Sequence, residues 1–163
     1  MRKYLALAFS LMMMILTMAS CGNKTDGMAN PMQEITDAAL IETYSHGLVL
    51  PKGVTEAKYY LYDGDLFEIC FEKNGVSYTA RTAEADSYED ISGIQYEWTA
   101  EEDDALAHWG LQGSAKRYIG EEETVDVVSW YDQGSGVNYS LSAVAPDLDG
   151  FDITAIVGQM IAG

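Results

Sequence analysis

The chain has 163 residues, 48% of them hydrophobic, with 26 acidic side chains against 9 basic ones and a formal charge of −17. Such an excess of acid, with no cluster of Lys and Arg, argues against nucleic acid as a partner, and so high an apolar content argues against disorder. Residues 21–163 are long enough for one domain with its own core.

The first element is a leader. Arg2 and Lys3 precede an apolar run over residues 5–18, which ends in Met18-Ala19-Ser20-Cys21. The run is short for a membrane span, which needs about twenty apolar residues, and it has the layout of a secretion signal over residues 1–20. Small residues followed by Cys21 resemble the lipobox of bacterial lipoproteins, in which the cysteine thiol takes up a diacylglycerol and the chain is cut just before it. Each acyl methylene moved into lipid contributes about 0.8 kcal/mol, so two or three acyl chains make release negligible. The expectation is a cell-membrane protein, lipid-anchored through Cys21 on the extracytoplasmic side. Residues 22–31 are polar, contain Gly and Pro and show no hydrophobic period, so residues 21–31 read as a flexible tether and 32–163 as a single domain. With Cys21 acylated, Cys70 has no partner for an intramolecular disulfide and reads as a small buried or half-buried hydrophobe.

Within the domain, residues 35–47 predict a short helix. Thr36 is placed as its N-cap, Ile35 and Leu40 have the spacing of a hydrophobic staple, Leu40, Ile41 and Tyr44 form a stripe, and Gly47 fits the left-handed exit. A train of strands follows, over residues 56–62, 66–72 and 76–83, separated by Asp63-Gly64-Asp65 and Lys73-Asn74-Gly75 turns. Residues 82–93 read as an acidic surface loop and 94–100 as a strand. The 101–113 segment, with four leading acids and Leu106, His108 and Trp109, has no clear period. Strands are predicted at 114–119, 124–132 and 137–144. A terminal amphipathic helix is then marked by Asp152 as N-cap and by Ile153, Ile156, Val157, Met160 and Ile161 at helical spacing. The architecture predicted is α+β: a single antiparallel β-meander sheet of six to seven strands, bracketed by an N-terminal and a C-terminal helix packed on one face. No internal repeat of fixed period is present.

Several blocks together carry a resemblance: Asn30-Pro31 with the acidic helix into Gly47 and Pro51, Lys116-Arg117-Tyr118-Ile119-Gly120, Trp130-Tyr131-Asp132, Tyr139-Ser140-Leu141, and the closing segment at 146–152. The chain resembles an uncharacterised family of small bacterial lipoproteins with an extracytoplasmic domain of unknown function. The likeness spans the mature chain except residues 101–113. It implies compartment and fold, and brings no catalytic residue with it.

The residues themselves name neither a reaction nor a ligand. His46, His108 and Cys70 fall in separate segments without metal-site spacing, so no metal and no cofactor are expected. Asp147-Leu148-Asp149-Gly150-Phe151-Asp152 fails the EF-hand pattern at its sixth and twelfth positions and reads as a turn and helix cap. No catalytic residue is assigned. The acids Glu97, Glu101, Glu102, Asp103 and Asp104, with His108, define an alternative as a small cell-envelope hydrolase. The strands are rich in aromatic rings. Either these pack as core, or Trp98, Trp130 and Tyr131 form a concave face for a peptide, glycan or lipid. The reading reached is a non-enzymatic extracytoplasmic domain that binds an envelope ligand or protein partner, the membrane being contacted through the lipid on Cys21. A purely structural docking role is the third candidate.

Overall fold

A computed structural model describes residues 32–62 and 65–161. The predicted leader, Cys21, the predicted tether and the Asp63-Gly64 step lie outside the described residues. In chain order the elements are β1 (Gln33–Ile35), α1 (Ala38–Tyr44), β2 (Ala57–Leu61), β3 (Phe67–Lys73), β4 (Val76–Glu84), β5 (Ala100–Asp103), a 3₁₀ turn (Ala107–Trp109), β6 (Gln112–Ile119), β7 (Thr124–Asp132), β8 (Val137–Ala145) and α2 (Ile153–Ile161). The fold is α+β, with one antiparallel sheet of eight strands rather than six to seven.

The strand order β1-β2-β3-β4-β8-β7-β6-β5 is two four-stranded meanders joined back to back, not a single meander. Each half runs strand, short helical turn, then three strands, and the seam is the β4–β8 pairing. The halves also match in detail. Phe71 opposes Tyr78 in the β3–β4 hairpin with ring centroids 4.9 Å apart, and Trp130 opposes Tyr139 in the β7–β8 hairpin at 5.0 Å, both pairs stacked. Such cross-strand stacks rivet each hairpin two residues before its turn. No sequence period announces this duplication, because it lies in the order of elements rather than in residue identity.

One sheet face carries the main core. Phe67, Ile69, Ala80, Val128, Trp130 and Leu141 project from it toward Ile153, Ile156, Val157 and Met160 of α2, with Ile41 and Tyr44 of α1 packed alongside. The terminal helix therefore buries the stripe its spacing predicts, and Asp152 caps it as expected, its Oδ1 accepting from the backbone N–H groups of Thr154 and Ala155. Gly113 lies opposite Trp130, where a Cβ would come within 2.7 Å of the Trp130 Cβ, so the indole has its space only because this position is glycine. A cross-strand ion pair is set into the same face. Arg117 donates to both carboxylate oxygens of Asp126 at 2.6 Å and to the Phe151 carbonyl at 3.1 Å, tying the sheet to the start of α2.

The N-terminal helix departs from expectation. It is capped by Asp37, whose side chain accepts from Ala39 N–H at 2.8 Å, not by Thr36. Ile35 is buried in β1 opposite Tyr59 and makes no staple, which leaves Leu40 43% exposed. A three-residue edge strand is too short to show a period. Gly47 takes the predicted left-handed conformation, but His46 does so as well, so the helix ends at Tyr44, short of the predicted 35–47 span.

Residues 82–93 are not a free surface loop. Thr82–Glu84 completes β4, and residues 85–99 form a strap that crosses the second sheet face to reach the far edge at β5. The predicted strand at 94–100 contributes only Ala100 to the sheet. The strap explains why β7 and β8 are buried along nearly their whole length on both faces.

Candidate functional site

The strap is held by polar groups of the sheet. Asn138, fully buried, donates from Nδ2 to the Ser87 carbonyl at 2.9 Å and accepts at Oδ1 from Glu89 N–H at 3.0 Å. Asp90 accepts from Ser129 Oγ and from Ser92 N–H, each at 3.0 Å. Tyr131 donates its hydroxyl to the Ala85 carbonyl. Arg81 donates to the carbonyls of Ile91 and Ser92 while its guanidinium is paired at 2.8 Å with Glu68, its cross-strand neighbour. Glu68 also accepts from Tyr62 and from the Cys70 thiol. Burial, with the adjacent Glu68 carboxylate adding to it, raises the Tyr62 phenol well above its ordinary value, so that hydroxyl stays a donor. No buried side-chain polar atom among the described residues lacks a partner.

Where the strap leaves the sheet it builds an open groove of about 350 Å³ against β6, lined by residues that include Asp90, Ser92, Gln95, Tyr96, Trp98 and Lys116. Its aromatic wall is fixed from behind. Tyr96 stacks on Tyr118 at 4.2 Å between centroids, meets Trp98 edge to face at 5.9 Å, and donates its hydroxyl to Glu123 at 2.9 Å. That hydrogen bond is the main cause of the raised Tyr96 pKa. The Lys116 ammonium sits 5.7 Å from the centre of the Trp98 ring and 3.9 Å from the Asp90 carboxylate. Tyr96 keeps 38% of its surface in solvent, and Trp98 is half-buried. The site thus offers two differently inclined rings beside an ammonium, a carboxylate, an amide and a hydroxyl.

Of the three aromatic residues singled out from the sequence, only Trp98 reaches this groove. Trp130 is 2% exposed, stacked on Tyr139 under the helices, and Tyr131 is 8% exposed beneath the strap. Neither presents a surface to a ligand. Adjacent positions on a strand point to opposite faces, and here both faces are covered. The sheet face opposite the helices is therefore filled by the strap rather than hollow. Cys70 is buried, as expected. The acids proposed for a hydrolase are spread rather than gathered. Glu101, Glu102 and Asp103 alternate along the exposed edge strand β5, Asp104 follows in a left-handed turn, and Glu97 is exposed in the strap. His108 falls in the 3₁₀ turn, whose Leu106 flank is buried in the main core. Asp147 accepts from Asp149 N–H, the turn that was predicted there.

Sequence reasoning puts Tyr96 and Trp98 on one face of the 94–100 segment, and the two rings do meet, but it misses Lys116 and Asp90 as their neighbours. The alternation of Tyr96 with Trp98 was visible but implied a strand, and nothing local indicates that Asp90 returns to β6. A second, smaller hollow of about 260 Å³ is bounded by Thr43, Tyr44, His46, Asp65 and Glu84. Compared with protein-family models, with curated proteins and with solved structures, the chain matches none. Among the described residues no helix is long and apolar enough to cross a membrane.

Proposed function

We propose that this protein is a lipid-anchored extracytoplasmic domain that binds a ligand or partner at the cell envelope without catalysing a reaction. Cys21 is the membrane anchor, and the groove beside Trp98 is the contact surface. The observation that carries the binding half is the groove itself: exposed aromatic rings held in place by stacking and hydrogen bonds, bordered by polar groups that can fix an orientation. The leader, with small residues before Cys21, supports the anchoring half. The resemblance to small bacterial lipoproteins belongs to the same proposal.

The anchor is tested by Cys21→Ser. The variant is expected to leave the membrane fraction for the soluble one and to lose incorporation of labelled palmitate. Unchanged membrane retention and labelling would refute it.

A further inference from the structure

We infer that the groove formed by Tyr96, Trp98 and Lys116 takes an uncharged saccharide of one or two rings. This rests on the reading of the groove as a ligand site and names the class of ligand. A pyranose ring presents apolar C–H faces and a rim of hydroxyl groups, so its site needs flat aromatic surface next to mixed donors and acceptors. The groove supplies both: Tyr96 and Trp98 give the surface, and Asp90, Ser92, Gln95 and Lys116 give the rim.

Charge narrows the choice. Anionic ligands meet a chain of formal charge −17, and Lys116, the sole cationic side chain lining the groove among the described residues, is already paired with Asp90. A cationic ligand such as a quaternary ammonium group, drawn to Trp98, would be set beside the Lys116 ammonium 5.7 Å from the ring centre and repelled by it, whereas a neutral ring meets no such repulsion. A peptide binding by strand addition would need an unpaired edge, and the β6 side of this groove is paired on both flanks, with β5 and with β7. A volume of about 350 Å³ lies at the small end of ligand pockets, which run from about 300 to 1,000 Å³, and suits one or two sugar rings. The site is also preformed. Tyr118 and Glu123 hold Tyr96, and Asp90 with the carbonyls of Ile91 and Ser92 pins the strap just before it, so little ordering cost falls on binding.

The test titrates the full-length chain, held in a polyoxyethylene detergent, with chitobiose, cellobiose, maltose, phosphocholine and trialanine, reading tryptophan fluorescence and melting temperature. At least one of the neutral disaccharides is expected to give a saturable change, weakened about tenfold in Trp98→Ala. Should Trp98→Ala itself alter the melting curve in the absence of sugar, Tyr96→Ala, at the exposed ring, carries the comparison with the same expected loss. Saccharide binding undiminished in both variants would overturn the site. Binding of phosphocholine or trialanine alone, lost in Trp98→Ala, would overturn the saccharide class while leaving the groove as a ligand site. No response to any of the five compounds would overturn the inference, while the Cys21→Ser fractionation still decides the anchor independently.

Discussion

Beneath the helices the sheet presents Phe67, Val128, Trp130 and Leu141, and its cover is two helices with apolar stripes. On the opposite side it presents Arg81, Ser129, Asn138 and Ser140, and its cover is a segment with neither helix nor strand. Both covers exclude water from the sheet, but by different means. The first side gains by removing apolar area from solvent, a non-directional effect that tolerates small shifts. The second depends on matched donors and acceptors, each contributing about 0.5–1.5 kcal/mol net, and leaving one buried and unmatched costs more than making it gains. A cover built in that way fixes the path of the strap residue by residue. That is what a preformed groove at its end requires.

Substitutions on the two sides should therefore fail differently. The largest effect is expected from Trp130→Ala, which empties the centre of the helix side and loses the stack on Tyr139. Global stability should fall by about 3–5 kcal/mol, read from denaturant unfolding, with strap and sheet unfolding together. On the other side, Asn138→Ala leaves the Glu89 N–H and the Ser87 carbonyl without their partner. A loss of about 1–3 kcal/mol is expected, and residues 85–92 should become sensitive to protease before the sheet unfolds. Simultaneous loss of sheet and strap in that variant would show that the two sides do not differ as described.

The smallest effect concerns neither cover but the turn that joins β7 to β8. Hydrogen bonds from the Ser135 hydroxyl and from Gly134 N–H hold the Asp132 carboxyl below its ordinary value. A depressed carboxyl contributes stability above its unfolded pKa of about 4, and that contribution is lost as pH falls through the lower folded value. Asp132→Asn should reduce the difference in melting temperature between neutral and acidic solution, with both sides of the sheet unaffected.

Much of this organisation was legible in the sequence. Alternation in residues 137–144 located β8 almost to the residue, the flanking turns at 120–123 and 133–136 bounded β7, and the spacing of Ile153, Ile156, Val157 and Met160 located α2 and its buried stripe. Periodicity separates an apolar face from a polar one, whatever covers the polar one. It does not disclose strand order, so the return of β8 to β4 and the two-meander layout were not foreseen. It also misleads where both faces are covered, which is how Trp130 and Tyr131 came to look like ligand contacts. The strap was read as solvent-facing because it is rich in acids and hydroxyls. The sheet beneath it instead uses the Asp90 carboxylate, through Ser129, and the backbone carbonyls of Ser87 and Ser92, through Asn138 and Arg81. Half of the candidate site was therefore visible, as Trp98, and the half that depends on the strap crossing to Lys116 was not.

An open sheet ends in strands that a neighbouring molecule can extend. Among the described residues one margin is the three-residue β1, and at the other β5 carries Glu101, Glu102 and Asp103 consecutively, all exposed. A second copy approaching that margin in the antiparallel sense would set carboxylate against carboxylate, so acids that could be mistaken for a reactive cluster act as a guard against edge-to-edge aggregation.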